Sequence, residues 1–463
     1  MAIDNISDEL KIYELSLIWK EAEYNFAFWE NLAGSLDWDK EYKTALSAVL
    51  KTKNLYEYYL ELMKFLALLR DGHTGVWVPR AIENSAEYTA KLPIRTQLIN
   101  GERIIINLKR CVIDTVKRWS VIKKVNGLDM EEYAEKYIYP YIWHEKKDSA
   151  DFSINNLLSC GAVGSVVELE LEYDGKIEIV NLTRTKGDVD WVYDETELKI
   201  AENLQQIYKS DSHSIFVTND NIAIITIPTM GNNNLPKEFY ANIPLLEKMK
   251  GFIIDIRWNG GGNSGNSTEV AKAFIKHDFE SCRALMPMYI GTYKAWKGWE
   301  KFGDMTYDEV VAKTIAEHGE LEPEQLQWIE RSYKITRHTY YEESTHFVKR
   351  DNCPTLLEQP LIVLSSCHTG SAAENFLVEL DYNKRAIIVG SASNGSTGQP
   401  LSINLESGGG FRVCTRNCTY PDGRKFINIG VQPHIPHEIT LDDYKNNVDS
   451  VMIKGLEEIR KMI

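Results

Sequence analysis

The segment Phe252-Ile253-Ile254-Asp255-Ile256-Arg257 is a nearly unbroken apolar run that stops at Asn259-Gly260-Gly261-Gly262. A strand apolar at consecutive positions is buried on both faces, and that environment belongs to a sheet covered by helices on each side. Three further runs share the rhythm: Ile222 to Ile227, Pro360 to Leu364, and Arg385 to Gly390. Helical stretches separate them, so the C-terminal half reads as an α/β sheet layered with helices. Residues 277–355 interrupt this pattern. They are charged, aromatic and mostly helical in character, and read as an insertion between the second and third core strands.

Upstream the periodicity differs. Residues 1–70 repeat apolar side chains at helical spacing, through Ile12, Leu15, Ile18 and Trp19 and then Leu55, Tyr58, Tyr59, Leu62, Phe65 and Leu68. Asp71-Gly72 stops the second run. From about 90 to 188 short β-type runs follow, with turns at Asn126-Gly127 and Asp174-Gly175 and a helical stretch from Met130 to Tyr137. The chain of 463 residues suits about three domains at roughly 150 residues each. These are an N-terminal helical region at 1–85, a small β module at 86–188, and an α/β domain at 189–463 that contains the insertion.

Charge narrows the range of partners. Lys and Arg total 52 against 67 Asp and Glu, a net charge of −15. Such a surface repels phosphate backbones and anionic lipid, so neither nucleic acid nor a membrane surface is expected as a partner. No apolar run reaches the ~20 residues that cross a bilayer. The opening Met1 to Leu15 lacks the basic and apolar regions of a signal peptide, so the expected location is the cytoplasm. There the seven cysteines (Cys111, Cys160, Cys282, Cys353, Cys367, Cys414, Cys418) read as free thiols. Cys367, His368, His434 and the Cys414–Cys418 pair lack metal-ligand spacing, so no metal and no cofactor is expected.

Three segments can carry chemistry. Asp255 to Gly265 is a buried strand, a glycine turn and a helix start, a place where backbone N–H groups and partial positive charge meet an anion. Ser365-Ser366-Cys367-His368-Thr369-Gly370-Ser371-Ala372-Ala373-Glu374 also joins a buried strand to a helix. It can present a serine hydroxyl there, although a plain serine or threonine cap explains it equally well. Leu69 to Gly75 sets His73 in a turn between two glycines.

Taken together, these segments bring out a likeness. Asp71-Gly72-His73-Thr74, Asp255-Ile256-Arg257 with Gly260-Gly261-Gly262, Ser371-Ala372-Ala373-Glu374, Gly395-Ser396-Thr397-Gly398-Gln399-Pro400 and the closing Gly430-Val431-Gln432-Pro433 stand in one order. That order resembles the C-terminal-processing (tail-specific) and tricorn-type serine peptidases, and the resemblance runs over the whole chain except the insertion. It implies a crotonase-like α/β catalytic core, a PDZ-like peptide-binding module at 86–188, and substrates that are peptides or unfolded protein tails. It implies Ser371 as the nucleophile. It also implies an oxyanion hole from the backbone N–H groups of Ala372 and of the Gly261/Gly262 turn.

The tail-specific branch carries its lysine base where this chain has Ser396. The tricorn-like branch uses a histidine, which His73 matches, and its late glutamate is replaced by Ile427-Asn428-Ile429. The expectation is therefore a Ser371–His73 dyad in which Asp71, Glu374 or Asn428 orients the ring and Ser396 is dispensable. Its rate should fall as pH drops through roughly 6–7, near the unperturbed histidine pKa. A catalytically silent peptide-binding protein and an acyl-thioester enzyme are the rival readings. Nothing in the sequence sets the oligomeric state.

Overall fold

The computed structural model describes residues 6–144, 146–187, 190–193, 198–289, 291, 305–337, 340–350 and 356–463. Its centre is a seven-stranded sheet in the order Gln205–Lys209, Ser214–Val217, Ile222–Thr226, Gly251–Asp255, Leu361–Ser365, Ile387–Gly390, Ile435–Pro436. The first two strands pair antiparallel and the rest run parallel from Ile222 onward. Gly251–Asp255 and Leu361–Ser365 are buried along their whole length.

The period-two alternation of a strand explains why both faces are apolar. Phe252 and Ile254 enter a core that contains Val270, Ala373 and Phe376, from the helices Ser264–Ala271 and Ala372–Tyr382. Ile253, Ile362 and Leu364 face the opposite way, onto Val451, Leu456 and Ile459 of the helix Ser450–Arg460. Arg257 closes the strand end. It makes paired hydrogen bonds to Asp255 and to Asp449, the cap of that last helix.

The β module is a six-stranded sheet over residues 94–183, with Met130–Tyr137 and Asp151–Ser159 as its longer helices and its own core around Ile105, Val125, Leu169 and Leu182. Among its described residues, segment 277–355 contains the helices Tyr307–His318 and Pro323–Arg337. Strands flank those helices: Arg283–Met288 pairs with Tyr340–Ser344 and with Asn417–Thr419. Cys353 lies outside the described residues, whereas Cys111, Cys160, Cys282, Cys367, Cys414 and Cys418 are free. No helix among the described residues is long and apolar enough to cross a membrane.

The N-terminal helices do not form a separate body. Leu15, Ile18, Tyr58, Tyr59 and Phe65 share one core with Leu405, Phe411 and Val413 from the far end of the chain. The strand Gly75–Trp77 pairs antiparallel with Gly410–Cys414 in the register Gly75 to Arg412. Glu14 is fully buried at this junction. It accepts hydrogen bonds from Tyr58 Oη at 3.1 Å, Ser407 N–H at 2.7 Å and Ser407 Oγ at 2.8 Å. Tyr59 Oη accepts from Gly409 N–H at 2.9 Å. A side chain at Gly409 would run into Trp77 O and the Tyr59 ring, which explains the glycine.

Replacing Glu14 by Ala removes the acceptor shared by three buried donors, of which Ser407 Oγ keeps Tyr59 Oη as a partner at 2.6 Å. The expected loss is about 3 kcal/mol of unfolding free energy. Urea denaturation should show it, with Glu9→Ala on the exposed side of the same helix changing little. Equal midpoints for the two variants would contradict this account of the junction.

Candidate active site

Ser371 sits where the strand Leu361–Ser365 has ended and the helix Ala372–Tyr382 begins. Its backbone is at φ 53°, ψ −122°, a region that costs a non-glycine residue about 1–3 kcal/mol and persists only when the surroundings impose it. Two acceptors impose it here, both from the Ser371 N–H: Ser396 O at 3.0 Å and Glu374 Oε2 at 3.1 Å. Ser371 Oγ lies 3.2 Å from His73 Nε2.

The other ring nitrogen, His73 Nδ1, lies 2.6 Å from Ser396 Oγ. When Nε2 is the acceptor for the Ser371 proton, Nδ1–H donates to Ser396, and the tautomer follows from these two contacts. His73 is largely enclosed. Burial, and then the charge of Arg412 and the proximity of His144, lower its pKa to about 4. The ring is therefore neutral at physiological pH, the form that can receive a proton.

The residues expected to orient His73 do other work. Asp71 Oδ2 accepts from Thr74 Oγ1 at 2.7 Å and from the His73 backbone N–H at 3.1 Å, so it shapes the turn and does not touch the ring. Burial raises its pKa to about 6. Asn428 donates its backbone N–H to Gly395 O at 2.7 Å and its amide to Arg70 O at 3.4 Å. Glu374 binds backbone and Ser393, with no contact to the imidazole. The side chain in contact with His73 Nδ1 is Ser396, the residue expected to be dispensable. Its signal in the sequence was its place in the Gly395-Ser396-Thr397-Gly398 turn. Gly72 leaves room for it, since a Cβ there would lie 2.6 Å from Ser396 Oγ and from His144 Cε1.

The glycine turn presses directly on the serine. A Cβ at Gly261 would fall 2.5 Å from Ser371 Cβ and 2.9 Å from Ala372 N, and one at Gly262 would fall 2.2 Å from Gly231 N. Two bonds stitch the turn to the serine loop: Gly370 N–H donates to Asn259 O at 3.0 Å, and Thr369 Oγ1 donates to Ile256 O at 2.8 Å. Gly261 itself departs from the expected donor role, because its N–H is engaged by Asn259 Oδ1 at 3.0 Å. Ala372 is the first residue of its helix, so its N–H has no intrahelical acceptor and lies at the positive end of the helix dipole.

Cys367 and His368 stay apart from the dyad. His368 stacks on Trp258 at 4.4 Å, and burial pushes the Cys367 thiol up to about 11, so it is not a ready thiolate. Among the described residues no three His, Cys, Asp or Glu side chains gather as a metal site.

Residues 221–437 match the model of peptidase family S41. Over 225 residues the chain is 24% identical to the carboxy-terminal-processing protease of Bartonella bacilliformis, a match that spans 48% of this chain and 38% of that protein. The chain thus matches well under half the length of that relative. Two solved structures share the architecture nearly end to end. Mature CPAF complexed with lactacystin aligns with 98% of this chain and 99% of its own at a TM-score of 0.70 and 16% identity. Mature CPAF aligns at a TM-score of 0.67 with the same coverage and identity. At such identity the likeness is one of fold, here a mixed α/β fold. The family match covers Ser371, Glu374, Ser396 and the glycine turn, and it begins well after His73. Residues 221–437 of the chain, just under half of its length, are thus similar to peptidase family S41.

Proposed function

We propose that the protein is a serine peptidase that hydrolyses peptides or unfolded protein tails through Ser371 and His73. The observation that carries this reading is the contact series Ser371 Oγ to His73 Nε2 at 3.2 Å and His73 Nδ1 to Ser396 Oγ at 2.6 Å. His73 takes the Ser371 proton as Oγ attacks the scissile carbonyl. The tetrahedral oxyanion is met by the N–H groups of Ala372 and Gly262, while Gly261 provides the close approach. The imidazolium then protonates the leaving amine, and water hydrolyses the acyl-enzyme by the same route in reverse. Ser396 Oγ accepts from Nδ1–H throughout, so ring orientation does not depend on a carboxylate in direct contact.

On the same footing, the α/β domain is a crotonase-like catalytic core and residues 86–188 a PDZ-like module that binds the substrate chain. The setting is the cytoplasm, in keeping with the six free cysteines among the described residues. The net charge of −15 argues against nucleic acid and membrane surfaces as partners.

Two outcomes test this reading. Ser371→Ala should abolish hydrolysis of an unstructured polypeptide while leaving its binding nearly unchanged, because the alanine fits the same turn. Turnover at the wild-type rate would refute it. The acid limb of kcat/KM should lie well below the ordinary histidine range, nearer the value of about 4 set by burial of His73. Protonation removes the base, so the rate falls as pH drops through that value, and activity should persist at pH values where an exposed histidine would already be charged. A limb near 6.5, unchanged in His73→Ala, would show that another group is the base.

A further inference from the structure

Trp143, His144, Lys146 and Ser149 of the β module reach the surroundings of the active site. The Trp143 ring lies where a Cβ on Gly75 would meet it at 3.1 Å, and the His144 ring packs against Gly72. Both glycines flank His73 and Thr74. Two residues farther on, Lys146 Nζ donates to Ala392 O at 3.1 Å and to Ser393 O at 2.7 Å. Ser149 Oγ donates to Asn394 O at 2.8 Å.

These carbonyls belong to the loop that delivers Ser396. Three consecutive carbonyls, those of Ala392, Ser393 and Asn394, are taken by the β module. The next two N–H groups, of Gly395 and Ser396, are taken by Glu374 at 2.7 and 3.0 Å. The loop is therefore held from opposite sides, by an ammonium and a hydroxyl on its carbonyls and by a carboxylate on its amides. Releasing either side lets the peptide planes rotate, and Ser396 Oγ moves with them. A misplacement of about 1 Å in a catalytic array can cost roughly 100-fold in rate.

We propose that Lys146 is a positioning residue for the peptidase reaction: by gripping the Ala392 and Ser393 carbonyls it sets the Ser396 hydroxyl against His73, which makes the β module a structural part of the active site. This rests on the serine-peptidase reading above and adds to it. The sequence suggests a module that only captures long substrates. In the structure the same module also determines whether the base is aligned for a short one.

The test is a double-mutant cycle on the full-length chain with a short chromogenic peptide that cannot span both domains. Lys146→Met should lower kcat by roughly 10- to 100-fold with KM unchanged. Lys146→Arg, which keeps a donor in reach, should recover much of the loss. In a Ser396→Ala background Lys146→Met should cost nothing further, because its effect passes through the missing hydroxyl. If Lys146→Met is not folded by its thermal transition, Ser149→Ala, which frees only the Asn394 carbonyl, takes its place in the cycle with the same non-additive outcome expected. The proposal is overturned if the fold-loss is equal in both backgrounds, or if KM rises and kcat holds. Failure of the peptidase reading is a separate result: hydrolysis of the same peptide by Ser371→Ala at the wild-type rate. An inactive Ser371→Ala together with an additive cycle removes the Lys146 proposal alone.

Discussion

The Glu374 carboxylate is the point on which the site depends. It is fully buried, and it accepts from Ser393 Oγ at 2.5 Å, Gly395 N–H at 2.7 Å, Ser396 N–H at 3.0 Å and Ser371 N–H at 3.1 Å. One side chain thus holds both the strained turn of Ser371 and the loop of Ser396. Burial raises its pKa to about 7, and the four donors pull in the opposite direction by stabilising the charged form. A group with that many donors aimed at two oxygens has little freedom to move. The positive φ of Ser371 is the strain it sustains.

The second constraint is topological. His73 and Ser371 are 298 residues apart in sequence, and the N-terminal helices bring them together. Their aromatic face buries against Leu405, Phe411 and Val413, Glu14 fixes the Ser407 turn, and the strand that follows His73 adds to the hairpin containing Gly410–Cys414. Packing of the N-terminal helices against this hairpin thereby fixes the position of the imidazole, since Leu69 and Val76 on either side of His73 belong to the same core. The matched residues 221–437 contain Ser371 and not His73.

How much of this was legible in the sequence depended on whether the signal was local. Gly251–Asp255 and Leu361–Ser365 could be read because burial on both faces leaves an unbroken apolar run. The helix Met130–Tyr137 followed from its turn and periodicity. Ser371 and His73 stand in short motifs at their turns, and their side chains lie 3.2 Å apart. The contact of Ser396 with His73 is not legible, because the sequence offers Asp71, Glu374 and Asn428 as candidates and a hydroxyl supplied by a distant loop has no pattern of its own. The strands inside segment 277–355 are not legible because Arg283–Met288 pairs with Tyr340–Ser344 and with Asn417–Thr419, both far along the chain. The N–H of Gly261 was assigned to the oxyanion, whereas Asn259, two residues before it, already accepts that bond. In each case a long-range contact or a competing hydrogen bond decided the outcome, and neither leaves a periodic trace.

The central claim is that Ser371 becomes acylated by a hydroxyl attack that His73 enables. The most direct measurement is peptide-mapping mass spectrometry of the full-length protein after brief reaction with an activated ester and acid quenching. The account predicts a single acyl adduct on Ser371, formed far more slowly in His73→Ala and absent in Ser371→Ala. Stoichiometric acylation of Cys367 or of another serine, with Ser371 unmodified, would contradict it.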